Sequence, residues 1–144
     1  MIVLDTDHLS VLANVGSWRS DGLADRLAEH HAEGIATTVV CVEENLRGWL
    51  ADIHRAENVG DEQRPYDRLG AIIEFLADWE ILPLDDNAIE NFEAFRRQRV
   101  RVAPQDLKIA SIALANNALL LSANLKDFEK VPGLRVENWL EETT

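Results

Sequence analysis

Leu107-Lys108-Ile109-Ala110-Ser111-Ile112-Ala113-Leu114-Ala115-Asn116-Asn117-Ala118-Leu119-Leu120-Leu121 is the stretch that decides the fold class. Its first part, opened by Pro104 and Asp106, is apolar on nearly every side of a helix, and such a helix must be buried. Asn116 and Asn117 end it. Ala118–Leu121 then reads as a strand buried on both faces, which is the signature of a parallel sheet covered by helices on either side. Working outward, the pattern repeats. Ile2-Val3-Leu4 is a short strand that stops at Asp5, and residues 6–14 read as a short helix around Leu9, Val11 and Leu12. Residues 20–33 form a further helix capped by Gly34. Residues 35–40 (IATTVV) are β-branched and read as a second strand. After it, Val42, Leu46, Trp49, Leu50 and Ile53 recur at helical spacing. The polar stretch Asn58–Arg64 reads as a surface loop, with Pro65 in the first turn of the next helix. Residues 79–84 hold a third strand, Asp85–Asn87 cap a helix carrying Ile89, Phe92 and Phe95, and Leu134-Arg135-Val136 closes the chain as a last strand. Strands alternating with helices place the chain in the α/β class.

Composition bounds the function. The chain has 144 residues and is expected to form one domain, 1–144, with a full core. Acidic residues number 26 against 14 basic ones, a net charge of −12, so the protein does not hold nucleic acid by bulk charge. An enzyme that meets nucleic acid through a metal stays open, because its carboxylate ligands count against net charge. The single cysteine, Cys41, excludes a disulfide framework and a multi-cysteine zinc site, and reads as a small core residue. No apolar run has the length of a membrane span, and MIVLDTD lacks the basic start of a signal peptide. The expected location is cytoplasmic. His8, His30, His31 and His54 show no zinc-motif or nucleophile spacing, and His30 and His31 read as a solvated helix end.

In parallel α/β sheets, ligands bind beyond the carboxyl ends of the strands. Asp5 and Asp7 follow the first strand, Glu43 and Glu44 the second, and Asn124 and Asp127 the ALLL strand. Asp106 opens the buried helix. Each has a structural reading as well: Asp5 as a turn former, Glu43 and Glu44 as first-turn acids, Asp106 as a cap or dipole partner, Asp127 as a cap of the KDFEK turn. At ~100° per residue, however, Glu44 lies opposite the stripe of Val42, Leu46, Trp49 and Leu50, so that core does not hold it. Asp106 adjoins so apolar an element that its desolvation calls for a partner. Four carboxylates share a pocket only if a cation neutralises them, and all-oxygen ligands suit Mg²⁺ or Mn²⁺. Such a site hydrolyses phosphodiesters without a histidine.

These residues resemble those of the PIN-domain nucleases, and in particular the stand-alone VapC-like toxins of toxin–antitoxin pairs. The resemblance runs through Leu4-Asp5-Thr6-Asp7, Glu44-Asn45-Leu46-Arg47-Gly48, Asp106-Leu107-Lys108-Ile109-Ala110 and Ser122-Ala123-Asn124-Leu125-Lys126-Asp127-Phe128, in that order. It implies a PIN-like parallel sheet of about four to five strands with helices on both faces. It implies endoribonuclease activity with Mg²⁺ or Mn²⁺, with Asp5, Glu44, Asp106 and Asp127 at the catalytic and metal positions. Thr6, Asp7, Ser122 and Asn124 would support them, although many relatives carry Asn where this chain has Asp7. It further implies a VapB-like antitoxin that blocks the pocket, and a homodimer. Arg47, Arg99, Arg101 and Lys108 are candidates for contact with RNA phosphates. Trp18, Trp49, Trp79 and Trp139 are candidates for partner surfaces, with Trp49 also fitting the core stripe. Two other readings remain. One is a catalytically silent PIN-like module that binds RNA or protein. The other is a phosphatase of the type that begins with a strand and DxD, in which Asp5 would be the nucleophile; Leu9 stands where such enzymes expect threonine or valine.

Overall fold

The computed structural model describes residues 1–14 and 17–140. In chain order they form β1 (Ile2–Leu4), α1 (Thr6–Ala13), α2 (Trp18–Glu29), a 3-10 turn (His31–Glu33), β2 (Ile35–Thr38), α3 (Val39–Arg55), α4 (Val59–Leu76), β3 (Glu80–Leu82), α5 (Asp86–Arg97), α6 (Pro104–Ala115), β4 (Leu119–Leu121), α7 (Leu125–Phe128) and β5 (Arg135–Glu137). The five strands make one sheet in the order β3-β2-β1-β4-β5, and every pairing is parallel. Val3 sits opposite both Ala36 and Leu120, so β1 is the central strand. The chain adds β2 and β3 on one side of β1 and then crosses to add β4 and β5 on the other.

Successive residues of a strand face opposite sides, and the core divides accordingly. Val3, Ala36 and Leu120 pack with α5 and α6 through Phe95, Leu107, Ile109 and Ile112. Ile2, Leu4 and Leu121 face the other way, onto Leu23 and Leu27 of α2 and onto Trp139. Both faces are therefore covered, as the apolar run in α6 and β4 requires. A third cluster joins Leu9 of α1 to Ile72 and Leu76 of α4, with Val42, Leu46 and Trp49 of α3 against it.

Several local expectations change. The second strand ends at Thr38, because the Thr38 hydroxyl accepts the Cys41 N–H at 3.1 Å and starts α3 there. A capping side chain outweighs the β-preference of Val39 and Val40. Glu43 and Glu44 consequently lie beyond the first turn. Asn58–Arg64 is not a loop: Asn58 caps α4 by accepting the Asp61 N–H at 2.9 Å, and Val59 onward is helical. Pro65 therefore lies inside α4 rather than in its first turn. Leu50 is exposed, off the packed stripe of α3. His31 is exposed, but His30 stacks on Trp139 with ring centroids 5.0 Å apart. Trp139 is buried and so is no partner surface, whereas Trp18 is exposed. Gly34, at φ 81°, turns the chain from the 3-10 segment into β2, a backbone region that favours glycine. Among the described residues no helix is long and apolar enough to cross a membrane.

Candidate functional site

The sheet order reverses between β1 and β4, and in open parallel sheets ligands bind beyond the strand ends at such a switch point. Asp5 leaves β1 there and Ser122 leaves β4. Asp5 is the cap of α1: one oxygen accepts the Thr6 N–H at 2.8 Å, and the other accepts the Ser122 hydroxyl at 2.7 Å. It is only 7% exposed, and Cys41 Sγ stands 3.8 Å away beneath it. Burial is the largest influence on Asp5; the negative charge of Asp7 adds to it, and together they outweigh the hydrogen bond from Ser122 and push the pKa up to about 6. The same burial pushes the Cys41 thiol to about 12, so Cys41 is the inert core residue its position suggested.

Glu44 does leave the α3 core stripe, as its helical position predicted. Its Oε2 accepts the Thr6 hydroxyl at 2.5 Å, which joins α3 to the start of α1. Asp106 enters from the first turn of α6. Burial raises its pKa first, and Glu44 and Asp127 raise it further by repulsion. Asn124 ties two acids together: its amide donates to Asp106 at 3.3 Å and to Asp127 at 3.1 Å. Its own N–H donates to the Ser122 hydroxyl at 3.0 Å. Asp127 lies at the rim, where the Asn124 amide and then Lys130 hold its pKa below the ordinary carboxylate range. Lys130 Nζ is 3.3 Å from it.

Asp5, Glu44 and Asp106 have no basic partner among the described residues; neutral donors alone hold them. Asp127 is joined to them through Asn124 but has Lys130 as well. Among the described residues no three such side chains are drawn close enough together to grip a cation. The donors are nonetheless all oxygens and their charge is uncompensated, which suits a hard divalent ion in kind and in charge.

Asp7 behaves differently. Burial alone would raise its pKa, but hydrogen bonds from His8 and the Ala123 N–H hold it below the ordinary range. Glu43 does not reach the crevice. It accepts Arg47 at 2.5 Å and the Gln105 amide at 3.0 Å, and Gln105 in turn accepts Lys108 at 3.2 Å. This chain of contacts spans α3 and α6 at the rim and places Arg47 and Lys108 there. Arg99 and Arg101 are exposed in the turn between α5 and α6, where Arg99 takes a left-handed φ of 59°. Sequence reading missed the pairing of His8 with Asp7; only their adjacency in the chain hinted at it.

No family model matches the chain. By sequence it is similar to the tRNA(fMet)-specific endonuclease VapC of Salmonella typhimurium, 30% identical over 79 residues that make up 52% of this chain and 60% of that protein. It is also similar to ribonuclease VapC2 of Rickettsia felis, 47% identical over 38 residues, 26% of this chain and 28% of that one. The match thus spans less than two thirds of either curated relative. By structure it superposes on the DNA-bound VapBC crystal structure from Salmonella typhimurium with a TM-score of 0.73 at 20% identity, covering 96% of this chain and 97% of the other. VapBC2 from Rickettsia felis, bound to a promoter DNA fragment, gives 0.70 at 24% identity, covering 96% and 99%. The fold is PIN-like. Asp5, Glu44, Asp106 and Asp127 come from four separate stretches of chain, and the negative charges of Glu44 and Asp127 act on Asp106 while that of Asp106 acts on Asp5.

Proposed function

We propose that this chain is a metal-dependent endoribonuclease toxin that hydrolyses phosphodiester bonds in RNA and is held inactive by a cognate VapB-like antitoxin. The observation that supports this reading is that Asp5, Glu44 and Asp106 lie near enough for Glu44 to repel Asp106 and Asp106 to repel Asp5, while neutral donors hold each of them and no basic partner does among the described residues. Likeness to a curated VapC endonuclease and to chains of VapBC complexes supports the choice of RNA and of an antitoxin.

In this reading Asp5, Glu44 and Asp106 hold Mg²⁺ or Mn²⁺, and Asp127 completes the set from the rim. The ion would orient the scissile phosphate, activate water and stabilise charge growing on the phosphate oxygens. The chain's own residues supply alignment. Ser122 fixes the rotamer of Asp5, Thr6 fixes Glu44, and Asn124 keeps Asp106 and Asp127 on one side of the crevice. Arg47, Lys108, Arg99 and Arg101 would receive the RNA backbone and offset the net charge of −12 near the site. A homodimer and a cytoplasmic location belong to the same proposal. Asp5, buried with both oxygens accepting hydrogen bonds, is not presented as a covalent nucleophile, which favours hydrolysis by water over a phosphoaspartate route.

The test is cleavage of a structured RNA with Mg²⁺ or Mn²⁺, with chelator, and with Asp5→Asn. Cleavage that needs the cation and disappears in the folded variant is the expected result. Cleavage that survives either change overturns the mechanism, and a folded wild type that cuts no RNA in either cation leaves a silent binding module.

A further inference from the structure

Asp7 stands two residues from Asp5, yet its oxygens are spent. One oxygen lies 2.6 Å from the His8 N–H and 2.6 Å from His8 Nδ1. The other accepts the Ala123 N–H at 2.8 Å and lies 3.4 Å from the Ser122 hydroxyl. The Ser122 proton can serve one acceptor, and the shorter contact at 2.7 Å gives it to Asp5. His8 is fully buried, and its Nε2 accepts the backbone N–H of Trp139 at 3.1 Å. An Nε2 that accepts leaves the proton of a neutral ring on Nδ1, aimed at Asp7. A continuous chain of hydrogen bonds therefore runs from Trp139 through His8 and Asp7 to Ala123.

Both of its ends are anchored. Trp139 packs against Leu23 and Leu27 with Arg26 stacked 4.1 Å from its ring centre. At the other end, Ala123 lies between Ser122, which holds Asp5, and Asn124, which holds Asp106 and Asp127. The need for two accepting oxygens explains an aspartate here, because an asparagine would turn an amide N–H toward one of the two donors.

We propose that Asp7 and His8 are positioning residues that tie the acidic site to the C-terminal segment at Trp139, so that breaking either link slackens the turn on which Asp5 and Asn124 are aligned. The metal role of the site rests on the nuclease reading above; the mechanical coupling does not. The seat of Trp139 against Leu23 and Leu27 of α2 thereby sets the order of the acidic site.

Backbone amide exchange in the full chain, without added metal, tests this. In His8→Phe, the Ala123 amide should exchange about tenfold faster although its own acceptor, Asp7, is intact. In Asp7→Ala, the Trp139 amide should accelerate by a similar factor of about ten although His8 remains. His8→Gln replaces His8→Phe if the latter does not fold. RNA cleavage by the His8 variant should lose about tenfold in kcat with KM unchanged, the size expected for a group that orients a ligand without touching the metal. Distant amides that stay unchanged in both variants overturn the coupling. So does a Mn²⁺ titration, followed by thermal shift, in which Asp7→Ala abolishes stabilisation and the His8 variant keeps it in full, because Asp7 would then be a ligand. A wild type that cuts no RNA but shows coupled amides refutes the nuclease reading alone.

Discussion

Replacing Asp5 by Asn should stabilise the protein, and the gain should depend on pH. The buried Asp5 carboxyl ionises at about 6 in the folded chain against an ordinary 3.8. Below pH 4 both states carry the proton and the acid costs little. As pH rises past 3.8 the unfolded chain ionises first and is favoured, and above about 6 the penalty on folding is complete. At pH 7 the separation amounts to ~3 kcal/mol, and at pH 4 it has shrunk to ~0.5 kcal/mol. Asparagine keeps the good features of the site. Its oxygen still caps α1 at the Thr6 N–H, and its amide can donate to the Ser122 hydroxyl, which then turns its proton toward Asp7. Urea denaturation followed by circular dichroism should therefore place Asp5→Asn above wild type by up to ~3 kcal/mol at pH 7, with unchanged m, and close to it at pH 4. In melting temperature this is a rise of roughly 6–12 °C at pH 7. Added Mg²⁺ or Mn²⁺ should stabilise wild type and leave the variant nearly unmoved, narrowing the gap. A variant less stable than wild type at pH 7, or a difference of the same size at both pH values, refutes the reasoning.

Thr38→Ala removes the cap of α3 and should lower stability by ~1 kcal/mol in the same urea assay, since Ala cannot accept the Cys41 N–H. Leu120→Ala opens a cavity where β4 meets α6 and should cost about 2–5 kcal/mol, read as a fall in the urea midpoint. If Arg99, Arg101 or Lys108 meets phosphate, its alanine variant should reduce the slope of log K against log salt for RNA binding by about 0.7; an unchanged slope in all three removes these residues from the interface.

Much of this protein is written locally. The apolar run from Leu107 to Leu121 determines a buried helix followed by a buried strand, because no other arrangement hides so much apolar surface. That is enough to specify helices on both faces of a parallel sheet. The acids were legible too, as groups at the ends of strands and helices, and Glu44 could be placed off the core stripe by counting turns. Side-chain caps were harder to weigh: Thr38 and Asn58 moved the starts of α3 and α4 against the β-branched and polar character of the residues that follow. What the chain order cannot express is which ends meet. Ser122 and Asp5 are 117 positions apart, and only the reversal of strand order between β1 and β4 brings them within 2.7 Å. The same holds for Trp139 and His8, 131 positions apart, whose pairing gives Asp7 its place. Periodicity reports how each segment meets the core. Hydrogen bonds between distant segments depend on how the whole sheet is ordered, and the tertiary structure alone decides that.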